Sequence, residues 1–130
     1  MGTRYAAPDT SQAIVVGYWK SANNMADDNY KMCALSGGAV IKASAGTTKT
    51  AGIVANGGNA SAVNVDVVAL GPTELEIRDS VSPLDWLVPD ANGYGTLTAI
   101  DSGNYYTVMA LMSGATGDII RVAVVPPYLA

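Results

Sequence analysis

Turn chemistry interrupts this chain so regularly that no long helix has room to form. Ser36-Gly37-Gly38, Asn56-Gly57-Gly58, Gly71-Pro72, Asp90-Ala91-Asn92-Gly93, Ser113-Gly114-Ala115-Thr116-Gly117 and Pro126-Pro127 are all breaks of this kind. Glycine and asparagine accept the left-handed backbone of tight turns, and proline removes a ladder donor. The segments between the breaks are short and β-prone: Ala13 to Trp19, Tyr30 to Leu35, Ala39 to Ala43, Gly52 to Ala55, Thr96 to Thr98, Thr107 to Met112 and Asp118 to Val125. Ala62 to Leu70 carries the clearest signal, with Val63, Val65 and Val67 alternating with Asn64 and Asp66, the period of a strand with one buried face. Thr73 to Arg78 alternates too, with Leu75 and Ile77 on one side and Glu74, Glu76 and Arg78 on the other.

Gly71-Pro72 is expected to end the valine strand, and Pro126-Pro127 the final one. At most one short helix fits, near Ser80 to Trp86 or Gly103 to Leu111. Short strands separated by turns at intervals of about ten residues point to an all-β sandwich or barrel-like domain. At 130 residues the chain is one such domain, spanning 13–130. Residues 1–12 mix Gly, Pro, Ser, Thr and Asp without periodicity, the composition of a flexible N-terminal arm.

Composition narrows the function. Histidine is absent, which removes histidine-based nucleophile systems and the commonest metal ligand together. Cys33, the single cysteine, lies in an apolar run and reads as a small core residue rather than a reactive thiol. Asp27-Asp28 reads as a solvated loop, and Glu74 and Glu76, followed by Arg78, as an exposed charged face rather than a glycosidase pair. Asp90, Asn92, Gly95 and Asp101 fall at four positions of a calcium-loop template, but Tyr94 occupies a ligand position and a hairpin turn accounts for Asp90 to Gly93. Neither double glycine has the spacing of a phosphate loop. No catalytic residue, metal ligand or cofactor site is expected, and an enzyme is not the reading.

Net charge is −4, and the seven Lys and Arg residues are scattered, so neither nucleic acid nor an anionic membrane is an expected partner. The N-terminus lacks the charged and apolar runs of a signal peptide, and no segment has the length of a membrane span. Hydrophobic residues make up 49% of the chain and charged ones only 14%, more apolar surface than so small a domain easily hides. Part of it is therefore expected to close against other copies or a partner. Tyr18, Trp19 and Trp86 are candidate interface aromatics, with core packing the alternative for each.

From Gly52 onward the order of features resembles the decoration (cement, or head-stabilising) proteins of tailed-phage capsids. The residues that carry the likeness are Gly52-Ile53-Val54, Gly57-Gly58, the strand Val63 to Gly71, Asp90-Ala91-Asn92-Gly93 with Leu97, Ala110-Leu111-Met112, and Gly117-Asp118 followed by Ile119 to Val124. The resemblance implies a β-tulip or related barrel-like fold. It also implies a homotrimer on the outer surface of the virion shell, made in the host cytoplasm and bound to the major capsid protein. Thr3, Arg4, Tyr5, Ala6, Ala7 and Pro8 would be the capsid-binding segment. Other virion or appendage modules, and a small carbohydrate-binding β-domain, remain as alternatives.

Overall fold

In the computed structural model, residues 12–47, 49–97 and 104–129 are described, the last three by their backbone alone. The described residues form nine strands and no helix: β1 (Ile14–Lys20), β2 (Met32–Ser36), β3 (Ala39–Lys42), β4 (Thr50–Asn56), β5 (Asn64–Glu76), β6 (Trp86–Pro89), β7 (Gly95–Leu97), β8 (Tyr105–Ala110) and β9 (Ile119–Leu129). All the strand ladders are antiparallel, in the order β3-β2-β4-β5-β9-β8-β6-β7, with β1 also on β5. The two segments whose sequence admits a short helix hold a turn and β8 instead.

The sheet curls at both ends. Ser21, just after β1, bridges Val40 of β3, and Ile77, just after β5, bridges Gly95 of β7. Each half thereby bends back upon itself, and the fold is an all-β, barrel-like domain.

β5 joins the halves. As far as Leu70 it pairs with β1 and β4; from Gly71 onward it pairs with β9. The expected break at Gly71-Pro72 is instead a bend in one continuous strand of 13 residues. Gly71 adopts φ 104°, a left-handed value that glycine takes without steric cost. The missing N–H of Pro72 falls at the changeover of partners. Pro126-Pro127 does not end the last strand either. Between the pairs Tyr106↔Tyr128 and Val108↔Val124, β9 has two more residues than β8, and the prolines lie within that bulge.

Two apolar cores follow from the alternation. Met32, Ala34, Ile53, Ala55 and Val68 face Leu75, Leu87, Val108, Ala110, Ile120, Val122 and Val124 across the two halves. Cys33, Val40, Val54, Val65 and Val67 point the other way, into a second cluster closed by Met25 and Trp19. β2 and β4 are thus covered on both faces, which explains why Gly52 to Ala55 reads as a continuous apolar run rather than an alternating one. β4 stands so close to β5 that a Cβ at Gly52 would lie 2.0 Å from the Val68 carbonyl oxygen.

Candidate assembly surfaces

The segment Thr3 to Pro8, expected to bind the capsid, lies outside the described residues. The chain becomes described at Gln12 and Ala13, which lie against Gly71 at the middle of β5. From there β1 runs along β5 and has, among the described residues, a strand partner on one edge only.

β1 is irregular for a reason legible in its pairing. Val16 pairs with Val67 and Trp19 with Val65, so Gly17 and Tyr18 together face the single residue Asp66. A Cβ on Gly17 would lie 2.8 Å from Asp66 Oδ1, so a larger residue there would displace the Asp66 carboxylate. The consequence is that two neighbouring aromatics part company. Trp19 turns inward against the second core, whereas Tyr18 stands out, 74% exposed, its ring centre 5.9 Å from that of Trp19. Ile14, 61% exposed, sits opposite Leu70, which is exposed as well, and Val15 is a further exposed apolar residue. Ile14 and Leu70 make one apolar cross-strand surface, and Val15 and Tyr18 are exposed elsewhere on β1.

Trp86 differs. It is half-buried, 5.8 Å from the Tyr106 ring, and belongs chiefly to the packing of its own half. The most exposed apolar residue of this region is Leu84, 67% exposed at the tip of the turn Ser82-Pro83-Leu84-Asp85. The Asp85 N–H donates to the Ser82 carbonyl and the Ser82 N–H to the Asp85 carboxylate. The Leu84 N–H donates to the Ala110 carbonyl at 2.7 Å, which sets the turn beside the exposed Leu111 and Met112. Leu84, Leu111 and Met112 make a second apolar surface, which the sequence reading did not single out.

The charged residues are arranged more tightly than their sequence spacing shows. Glu76, expected on an exposed face, is 1% exposed and ion-paired with Arg78. The alternation is right, but the outer face at this point is roofed by Tyr30 and by the β6–β7 turn. The Tyr30 N–H donates to Val54, and the Glu76 N–H donates to Tyr30. The Arg78 guanidinium lies 3.7 Å from the centre of the Tyr94 ring, and Lys31 Nζ lies 4.9 Å from it. Burial opposes the charge on Arg78, but the Glu76 carboxylate and the Tyr94 hydroxyl outweigh it and raise its pKa. Burial, and then the Glu74 carboxylate, hold the Tyr30 hydroxyl above its ordinary pKa. Asp28, expected in a solvated loop, is buried and bridges Lys31 at 3.1 Å. Only Asp27 of that pair is exposed.

These charges fasten the hairpin to the sheet. Asp90 Oδ1 accepts from the N–H groups of Asn92 and Tyr94, so this carboxylate shapes the hairpin turn. Cys33 is fully buried, and burial pushes its thiol up to about 12. Beside Asp28 and Lys31 a polar pocket of about 420 Å³ opens, with Asn23, Asn24, Asp27 and Lys42 among its walls. Asn24 is committed, its amide donating to the Asn59 carbonyl and accepting from the Ala26 N–H.

No protein-family model matches the chain, and no curated protein matches it.

Proposed function

We propose that the protein is a structural element of a tailed-phage virion, binding the exterior of the assembled capsid as a homotrimer and stabilising it. The observation that carries this is the placement of bulky apolar side chains outside the fold, on two separate surfaces of a domain whose cysteine and buried ion pairs serve packing. Large apolar side chains grouped on a surface are a contact feature. β1 adds an edge on which a partner's extended segment can pair. The resemblance of the chain from Gly52 onward to capsid decoration proteins supplies the partner, the major capsid protein. In this reading Thr3 to Pro8 contact the capsid.

Stabilisation needs no chemistry. A protein that binds the assembled shell and not its separated subunits shifts the equilibrium toward the shell by mass action. A trimer engaging several subunits gains effective concentration, so each contact can be weak. The test is co-sedimentation of the purified protein with expanded phage heads. Binding that is lost on deletion of residues 1–8, with the fold intact by circular dichroism, is the expected result. A protein that stays in the supernatant at saturating concentration overturns the reading.

The polar pocket beside Asn23, Asp27 and Lys42 favours a second reading, a small carbohydrate-binding domain, because amides, carboxylates and ammonium groups hydrogen-bond sugar hydroxyls. Among the described residues no aromatic ring lines that pocket to stack on a sugar face, and this reading has the weaker support. Binding on a glycan array that is abolished by Asp27→Ala would reverse the order.

A further inference from the structure

Two Asn-Gly pairs occur in the chain, Asn56-Gly57 and Asn92-Gly93. In such a pair the glycine nitrogen can attack the asparagine side-chain carbonyl, because glycine has no side chain to block the approach. Placement within one chain makes this attack far easier than attack from solution. The two pairs are alike in sequence, and the fold makes them different.

Asn56 is held firmly. It ends β4, paired with Asp66 of β5, and its Oδ1 accepts from the Gly58 N–H. The nitrogen that would have to attack, on Gly57, donates at 2.9 Å to Oδ1 of Asn29, 28 residues away. Gly57 is wedged so close to the loop before β2 that a Cβ on it would lie 1.8 Å from the Met25 carbonyl oxygen. Turning this peptide toward the Asn56 side chain breaks the Asn29 tie and pulls on the strand. Asn92, by contrast, stands exposed in the β6–β7 turn, and among the described residues its side-chain amide has no hydrogen-bond partner. Its attacking nitrogen, on Gly93, donates to the Asp90 carbonyl at 3.2 Å. When that peptide turns, the bond given up lies within the turn and links no two strands.

We propose that Asn92 is a self-modification site, and that Asn56 is protected by the fold. The Gly93 nitrogen bonds to the Asn92 side-chain carbon and passes its proton, through solvent, to the departing amide nitrogen, which leaves as ammonia. Water then opens the five-membered ring. Opening at the side-chain carbonyl leaves aspartate; opening at the backbone carbonyl leaves isoaspartate, with the main chain one carbon longer. Either product sets a new carboxylate beside that of Asp90, whose Oδ1 accepts from the Asn92 N–H at 2.8 Å. Isoaspartate does more. The turn is pinned to β2 by the Met32 N–H, which donates to the Gly93 carbonyl at 2.8 Å, and is shaped by Asp90 accepting from Asn92 and Tyr94. An added backbone carbon between Asn92 and Gly93 puts these bonds out of register. Tyr94 follows directly and carries the Arg78 guanidinium on its ring, so the change reaches the ion pair with Glu76. Ageing at one exposed turn thereby loosens a buried contact, whatever the protein binds.

Peptide mapping by mass spectrometry of the full chain tests this, after ageing in mildly alkaline buffer below the melting temperature. An isoaspartyl methyltransferase reads the isoaspartate. In the folded protein, conversion at Asn92 should outpace that at Asn56 by about tenfold or more. In urea the two should convert at comparable rates, because only the fold distinguishes them. Asn92→Gln should stop conversion at the turn. The aged wild type should melt lower than the fresh protein, whereas aged Asn92→Gln should melt as it did when fresh. Equal rates at the two pairs in the folded protein, a faster Asn56, or an Asn92 that converts in urea but not in the fold overturns the inference. So does an aged sample rich in isoaspartate that melts as the fresh protein does.

Discussion

Replacing Arg78 with methionine should damage the fold far more than replacing its partner Glu76 with glutamine. Glu76 is 1% exposed and the Arg78 side chain 29% exposed, so the two ends of the pair differ in what each loses. Removing the guanidinium strands a carboxylate in the interior, for which broken buried pairs cost about 3–5 kcal/mol. Arg78 is partly reached by water, which moderates the loss to about 2–3 kcal/mol. Loss of the guanidinium over the Tyr94 ring, 3.7 Å away, adds about 0.5–1 kcal/mol. The sum, about 3 kcal/mol, is a large share of the roughly 5–15 kcal/mol that hold a domain together. Glu76→Gln leaves Arg78 with water and Tyr94 and should cost about 1 kcal/mol. In urea, with a slope near 2 kcal/mol per molar, Arg78→Met should lower the midpoint by roughly 1.5 M. Adding Glu76→Gln to Arg78→Met should recover most of that, since no stranded charge remains. A midpoint shift below about 0.3 M for Arg78→Met, or no recovery in the double variant, would refute the assignment of Glu76 as a buried, cation-dependent carboxylate.

Gly52→Ala should cost several kcal/mol or prevent folding, because φ 152° disfavours any side chain and the new methyl would meet the Val68 carbonyl at 2.0 Å; a soluble variant with wild-type melting would contradict it. Thr73→Val should raise stability by about 1 kcal/mol, because the Thr73 hydroxyl is buried without a hydrogen-bond partner; a lower urea midpoint would count against it. Cys33 should resist iodoacetamide until the domain unfolds. Its thiol stays protonated in the fold up to about pH 12 but ionises near 9 in the open chain, so the folded state binds the extra proton between those values. Stability should therefore be retained below pH 9 and fall as pH rises toward 12, and Cys33→Ala should flatten that slope if the assignment is correct.

The strand inventory was legible because its signals are local. Alternating valines and Asn-Gly turns act within a few residues, and they placed β4, the first part of β5 and the β6–β7 hairpin turn close to where they lie. Proline misled at Gly71-Pro72 and Pro126-Pro127 because it forbids a donor, not an extended backbone. Whether the missing donor matters depends on what stands alongside, and that is set by distant residues. Glu76 shows the same limit, since alternation says which residues share a face but not whether Tyr30 and a remote hairpin will cover it. Tyr18 and Trp19 are alike in sequence as candidate interface aromatics, and a bulge opposite Asp66 sends one out and the other in. Leu84 carried a signal that went unused: Ser-Pro-Leu-Asp places leucine where a proline-led turn favours glycine.

Because β5 belongs to both halves, neither can melt without unzipping a strand that the other needs. Each core is therefore denied independent fraying, and the central amides from Val65 to Leu75 should exchange with solvent at one common rate, that of global opening. Such a splice makes the domain fail once, as a whole, rather than peel from one end.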